Sequence, residues 1–194
     1  MAGEVRDRMV QGAVALLARH GLQATSFSEV LAATGTPRGS LYHHFPGGKD
    51  QLVAAAEERA GAILINALEP CAGAPADKVV DRFLAIWRTV LTHSQCEAGC
   101  AVLAVTVAAD SADLLAHAAV IFRSWRDRLS KLLHQGGLTQ EQSHRFATLL
   151  IASTEGAVVL SRADHGMEPF ETVASQLLDQ VKWLQRSLTH PTKG

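Results

Sequence analysis

This sequence has no long apolar run, almost no net charge and few aromatic residues. No apolar run reaches the roughly 18 residues that a membrane-spanning helix requires, and the opening MAGEVRDRM lacks the apolar stretch of a secretory signal. The three cysteines are an odd number and too few for a disulfide framework, which agrees with a reducing compartment. We therefore expect a cytoplasmic protein without a membrane anchor.

Catalytic motifs are missing as well. The sequence has no G-x-S-x-G, no H-E-x-x-H and no pair of carboxylates at a spacing suited to acid–base catalysis. Gly48 and Lys49 are followed by Asp50 and lack the earlier glycine of a phosphate-binding loop. These absences predict a protein that is not an enzyme and uses no cofactor. A small helical enzyme stays as an alternative only if a catalytic pair exists that we could not locate.

The charge and composition favour an all-helical protein rather than a generic nucleic-acid binder. A net charge of −1 contrasts with the basic domains that usually bind nucleic acid, so any DNA binding must depend on where the cations lie. Ala-rich and Leu-rich segments and 5% aromatics favour helices, and no sustained two-residue alternation indicates a sheet. With 194 residues, the chain is long enough to bury a full core.

Two short predicted helices, joined by a tight turn, lie within residues 26–52. The apolar side of the first carries Phe27, Val30, Leu31 and Thr34. Ser26 is a suitable N-cap and Gly35 a suitable left-handed end residue. Thr36 is the expected N-cap of the second helix, and Pro37 fits its first helical position. Such a helix-turn-helix has a second helix sized for a DNA major groove.

A family resemblance becomes visible at these residues. The run Gly35-x-x-x-Gly39-x-Leu41-Tyr42-x-His44-Phe45, followed by Lys49 and Leu52, resembles the DNA-binding head of TetR-type repressors. The segments FPGGK, CEAGC and TEGAVVLSRA resemble the LmrA/YxaF branch of that family. The resemblance implies an all-α fold of about nine helices. It further implies a helix-turn-helix DNA-binding domain at residues 1–50 and a ligand-binding and dimerisation bundle at residues 51–194.

The predicted partner of the first domain is a double-stranded DNA operator. We expect Arg38 to bind guanine, Tyr42, His44 and Lys49 to hold phosphates, and His43 to read a base. The full set of predicted DNA-binding residues is Ser26, Ser28, Thr36, Pro37, Arg38, Gly39, Ser40, Tyr42, His43, His44 and Lys49. Two further cations, Arg6 and Arg8, either touch backbone phosphates or are solvated surface charges.

The second domain is predicted to hold an effector and the dimer interface. Two tryptophans among small residues are typical of a core and equally of an apolar ligand pocket with a polar handle. The predicted pocket residues are Phe83, Trp87, Cys100, Leu103, Val107, Phe122, Trp125 and Thr154. The resemblance implies that the last two helices pair in a homodimer. The predicted interface residues are Leu150, Glu155, Gly156, Val158, Leu177, Val181 and Leu184, with Glu155 alternatively in the ligand cavity.

The spacing of Cys96 and Cys100, with His93 nearby, invites a metal interpretation. Structural zinc requires four ligands in close pairs, and the sequence has no second pair, so we predict no metal site. Two interpretations stay open: a redox pair near a helix start, or a small buried Cys100 at the entrance of an apolar helix.

These observations lead to one hypothesis and one alternative. The hypothesis is a ligand-responsive transcriptional repressor that binds a palindromic operator as a homodimer and is released by a small apolar or aromatic effector. The alternative is a helical ligand-binding or protein-interaction dimer without DNA binding, which the near-neutral first domain allows.

Overall fold

The computed structural model describes residues 2–189, and within that range the chain is all-helical. Its nine α-helices are α1 (Ala2–Ala24), α2 (Phe27–Thr34), α3 (Arg38–His44), α4 (Gly48–Leu68), α5 (Ala76–Ser94), α6 (Ala101–Thr106), α7 (Ala112–Gln135), α8 (Gln140–Asp164) and α9 (Glu168–Thr189). A short 3-10 turn, Glu69–Cys71, follows α4. The predicted all-α class is confirmed.

The chain divides into two compact units. Unit 1 comprises Met1–Ile63 and Ala98–Phe122, and unit 2 comprises Leu64–Glu97 and Arg123–Gly194. Unit 1 therefore contains α1, α2, α3 and α6 together with the first parts of α4 and α7. The functional boundary near residue 50 stays a prediction.

The core of unit 1 joins the helix-turn-helix to α1 and α6. Buried apolar residues that share this core include Met9, Ala13, Leu17, Val30, Leu41, Phe45, Leu52, Ala101 and Val105. Two hydrogen bonds connect α1 to the residues on either side of α6. The Gly99 N–H donates to Ala18 O (2.8 Å), and Gln23 Nε2 donates to Ala108 O (3.4 Å). Two short helices are too small to bury a core alone, so these neighbours complete it.

The helix-turn-helix forms largely as its local sequence predicts. The Ser26 hydroxyl accepts from the Glu29 N–H at 3.2 Å, and Gly35 ends α2 in the left-handed conformation (φ 60°, ψ 28°). The predicted start of α3 was wrong by one residue. Pro37 is the N-cap, with an extended ψ of 142°, and its carbonyl accepts the first intrahelical hydrogen bond from the Ser40 N–H.

Unit 2 packs α5, α8 and α9 together. A capping box starts α8, because Thr139 and Gln142 exchange side chain-to-backbone hydrogen bonds. Across α5 and α9, Arg88 donates to both carboxylate oxygens of Glu171 at 2.6 and 2.8 Å, which lowers the pKa of Glu171. In the described part of the chain, α8 alone is long and apolar enough to cross a membrane, but half of its most apolar window is buried, as in a core helix.

Candidate nucleic-acid interface

One side of α3 is buried and the other is open. Leu41 and Phe45 anchor the helix in the core of unit 1, whereas Arg38 and His43 are exposed and the Tyr42 side chain is 71% exposed. Hydrophobic burial thus fixes the orientation of α3 and leaves its polar side chains free to enter a groove. No described residue forms a hydrogen bond or ion pair with the Arg38 guanidinium, so its donors are available to a ligand.

A cleft between α2 and α3 lies beside this exposed side. It measures about 430 Å³ and is lined by Phe27, Ser28, Leu31, Arg38, Leu41 and Tyr42. The Tyr42 ring meets the Phe27 ring edge-to-face, with 6.4 Å between centroids. This contact holds the exposed phenol at a fixed position on the surface.

Ten of the eleven predicted DNA-binding residues are exposed or half-buried, and Thr36 is the exception. Thr36 is buried, and its hydroxyl lies 2.9 Å from the Thr34 hydroxyl, where it links the turn to the end of α2. The hydroxyls of Ser26 and Ser28 lie 2.8 Å apart. The Ser26 hydroxyl caps the start of α2, whereas the Ser28 side chain is exposed on the outside of α2 and is more accessible to DNA.

Lys49 has an intramolecular partner that the sequence did not predict. Its ammonium donates to the carbonyl oxygen of Leu22 at 2.8 Å and so ties the start of α4 to the end of α1. The phosphate contact predicted for Lys49 stays a prediction, but the lysine has a positioning role without it.

We expect Lys49→Met to lower the free energy of unfolding by about 1–2 kcal/mol, because the Leu22 carbonyl loses a charged donor. Chemical denaturation measures this change. Lys78→Met, at an exposed lysine in α5, is the matched control and should leave stability unchanged. Equal stability of the Lys49 and Lys78 variants would contradict the positioning role.

Comparisons with known proteins agree with this geometry. Residues 10–56 match the model for bacterial regulatory proteins of the tetR family. Residues 75–176 match the C-terminal domain of LmrA/YxaF-like transcriptional regulators. Rv0196 of Mycobacterium tuberculosis, an uncharacterized HTH-type transcriptional regulator, is 34% identical over 182 residues, covering 89% of this chain and 91% of the relative. The chain belongs to the TetR family.

Further similarities extend along the TetR-family chain. The HTH-type transcriptional regulator LmrA of Bacillus subtilis is 24% identical over 193 residues, which cover 93% of this chain and 98% of LmrA. The crystal structure of the regulatory protein TetR from Rhodobacter sphaeroides shares the fold, with a TM-score of 0.79 at 18% identity over 89% of this chain and 96% of that one. The protein is thus a DNA-binding transcriptional regulator of a non-enzymatic family.

The predicted effector residues of this TetR-family protein divide between the two units. Phe83, Trp87, Trp125 and Thr154 are buried in unit 2. Among the described residues, the Trp87 indole N–H and the Thr154 hydroxyl have no hydrogen-bond partner. Cys100, Leu103, Val107 and Phe122 belong to unit 1. Cys100 is the N-cap of α6, its sulfur accepting from the Leu103 N–H at 3.3 Å, whereas Val107 is 74% exposed.

The predicted dimer residues lie on α8 and α9, but most face inward. Leu150, Glu155, Val158, Leu177 and Val181 are buried within one copy of the chain, Leu184 is half-buried and Gly156 is exposed. The exposed apolar residues of these helices are instead Leu149, Val159, Leu160 and Trp183. Helical periodicity identified the apolar side of each helix, and that side serves the core of unit 2.

The two cysteines considered as a pair have separate surroundings. Cys96, in unit 2, adopts a positive φ of 62° and lies 3.9 Å from the sulfur of Met167. Cys100 lies in unit 1. Between residues 2 and 189, no group of three or more His, Cys, Asp or Glu side chains is arranged to hold a metal ion.

Sequence reasoning missed a buried acid on α4. Glu57 is completely buried, and among the described residues neither of its carboxylate oxygens has a hydrogen-bond partner. His117 of α7 lies close to it, with Nδ1 3.4 Å from Oε2. Burial raises the pKa of Glu57 from 4.5 to about 7. The sequence shows two adjacent glutamates, Glu57 and Glu58, after the apolar residues 52–56, but only packing shows that Glu57 is the one inside.

Proposed function

We propose that this TetR-family regulator is a ligand-responsive repressor that binds a palindromic operator as a homodimer in the cytoplasm. The observation that carries the proposal is the exposed side of α3, where the guanidinium of Arg38 has no partner among the described residues. Arginine in a recognition helix makes a bidentate contact to guanine in the major groove. Half-buried Ser40 and His44 and exposed Tyr42 lie on the same short helix and supply phosphate donors.

The proposed dimer uses the open sides of α8 and α9. Leu149, Ala152, Gly156 and Leu160 are exposed at intervals of three or four residues and form one stripe along α8. A cleft of about 610 Å³ adjoins the stripe and is lined by residues of both helices, including Leu149, Gln180 and Leu184. One turn from Gln180, Trp183 is 61% exposed. An exposed apolar stripe and an exposed tryptophan are both typical of a protein interface.

A two-fold dimer accounts for the palindrome. Two copies of α3 related by a two-fold axis meet equivalent sequences in successive major grooves, about 34–36 Å apart. The operator half-sites should therefore be inverted repeats with centres about ten base pairs apart. In this proposal, residues 1–50 bind DNA, and residues 51–194 bind the effector and form the dimer interface.

The proposed effector is small and apolar or aromatic. Its support is the buried aromatic group in unit 2, where the indole N–H of Trp87 and the hydroxyl of Thr154 have no hydrogen-bond partner in the part of the chain that the structure describes. A buried unsatisfied donor costs about 1–3 kcal/mol, and a ligand acceptor would recover that energy. The effector releases DNA by binding more tightly to a conformation in which the two recognition helices no longer fit successive grooves.

Selection from a random duplex library tests the DNA-binding proposal. The wild-type protein should enrich an inverted repeat, and its affinity should fall steeply with salt. Arg38→Ala should lose about 1–3 kcal/mol of discrimination at one base pair per half-site. Arg123→Ala, which removes an exposed arginine from α7, is the control and should keep the selectivity. Enrichment of no repeat at low salt would contradict the proposal.

A further inference from the structure

We infer that Arg6 of α1 binds a backbone phosphate of the operator beside the end of the recognition helix, so that the DNA interface includes α1 as well as the helix-turn-helix. This inference rests on the proposed DNA binding. It assigns a phosphate contact to Arg6 and none to Arg8, which lies two residues further along α1.

An aromatic ring holds Arg6 in place. Its guanidinium carbon lies 5.4 Å from the centroid of the Phe45 ring. Phe45 is fully buried and directly follows α3. Its N–H donates to Leu41 O at 2.8 Å, and its carbonyl accepts from the Gly48 N–H at 3.0 Å. The ring is therefore fixed by backbone hydrogen bonds at the junction of α3 and α4, and the cation over it is fixed as well.

The bonding capacity of Arg6 remains available. The side chain is exposed, and it forms no ion pair with any described acidic residue. The contact of a guanidinium with an aromatic ring uses none of its N–H groups as hydrogen-bond donors to oxygen, so they stay available for the bidentate geometry of phosphate oxygens. Phe45 thus orders the side chain in advance without using its hydrogen-bond donors.

The position of Arg6 relative to α3 suits a phosphate rather than a base. From Arg38 to His44 the helix rises by about 9 Å, which is close to the roughly 12 Å width of the major groove. Arg38 begins this segment, and Arg6 lies beside its end. A cation at the end of an inserted helix approaches the sugar–phosphate border, which carries no base edges.

Arg8 provides the contrast within the same helix. It lies two residues further on, about 200° around the helix axis, so it points to a different side from Arg6. It is exposed, and no described aromatic ring or carboxylate contacts it. Removing either arginine changes the net charge by the same amount, and only the Arg6 variant removes a cation held at the recognition helix.

The test measures the salt dependence of binding to the selected duplex for wild type, Arg6→Ala, Arg8→Ala and Arg6→Lys. The slope of log affinity against log salt should fall by about 1.8 in Arg6→Ala, because the homodimer loses one phosphate contact, worth about 0.9, in each half-site. The affinity deficit of this variant should then shrink about 12-fold between 50 and 200 mM salt. The loss should be equal on specific and random duplexes, because a phosphate carries no sequence. Arg6→Lys should keep the slope, and Arg8→Ala should match wild type.

Three outcomes would overturn the inference. An unchanged slope in Arg6→Ala would show that Arg6 touches no phosphate. Equal decreases in Arg6→Ala and Arg8→Ala would show a general effect of charge. A loss confined to one base pair would show a base contact. If wild-type protein binds no duplex at all, the proposed function itself fails, and this result is distinct from the other three.

Discussion

Glu57→Gln is expected to stabilise the protein above pH 7 and to have little effect near pH 5. Glutamine has the shape of the protonated acid but cannot ionise. In the wild type, burial raises the pKa of Glu57 from 4.5 to about 7 because the carboxylate is cut off from water. The buried acid is therefore neutral at low pH, and its ionisation at higher pH costs stability that glutamine does not lose.

The sign follows from proton binding. Between pH 4.5 and about 7, folded Glu57 keeps a proton that the unfolded chain has released, so the free energy of unfolding falls as the pH rises. The stabilising contribution of the neutral acid is complete below pH 4.5 and is lost as the pH passes through about 7. A pKa difference of this size corresponds to about 3 kcal/mol, which is the expected advantage of the glutamine variant at pH 8.

Urea unfolding at pH 5, 6, 7 and 8 would measure the difference between variant and wild type. Glu58→Gln is the matched control, because Glu58 is the next residue along α4 and its side chain is exposed. The Glu58 variant should follow the wild type at every pH. A constant difference for Glu57→Gln from pH 5 to 8 would contradict the raised pKa of Glu57.

Leu160→Glu is expected to convert the proposed dimer to monomers and to abolish high-affinity operator binding. A two-fold interface contains every substitution twice, so two carboxylates would be buried without partners. Each uncompensated buried charge costs several kcal/mol, and the dimer dissociation constant should therefore rise by more than about 100-fold. Sedimentation velocity over a concentration series measures the shift.

Val120→Glu is the control for this experiment. Val120 and Leu160 are both 55% exposed, but Val120 lies on α7 and outside the proposed interface. Its variant should remain a dimer and bind the operator. If Leu160→Glu also remains dimeric at nanomolar concentration, the exposed stripe of α8 is not the interface. If it becomes monomeric and still binds the full palindrome tightly, dimerisation is not needed for recognition.

Local features of the fold could be predicted from the sequence with good accuracy. The bounds Phe27–Thr34 of α2, the cap at Ser26 and the left-handed Gly35 all follow the prediction. Each depends on groups no more than four residues apart, so the responsible side chains are adjacent in the sequence. The capping box of α8 is local in the same way, because Gln142 lies three residues after Thr139. Even at α3 the error was one residue, since Pro37 was placed inside the helix that it precedes.

It was harder to predict whether the apolar side of a helix packs inside the same chain or against a second copy. The apolar residues of α8 and α9 were predicted as a dimer interface, yet Leu150 and Val181 are buried inside one copy. Periodicity shows that a helix has an apolar side, but it does not say whether another part of the chain or a second molecule covers it. Of the outward stripe, the sequence prediction included Gly156 and missed Ala152 and Leu160, because no local pattern distinguishes an exposed small or apolar residue that meets a partner from one that meets water.

The sequence by itself determined the family, the all-helical class and the helix-turn-helix, because their signals are local spacings and caps. Only the tertiary structure decided that Lys49 donates to a carbonyl 27 residues earlier, that Glu57 faces His117, and that Arg6 lies over Phe45. Each of these contacts joins residues that are far apart in the sequence, and its energy depends on the burial and distance that folding creates. Such partners have no fixed spacing along the chain, so no local pattern specifies them.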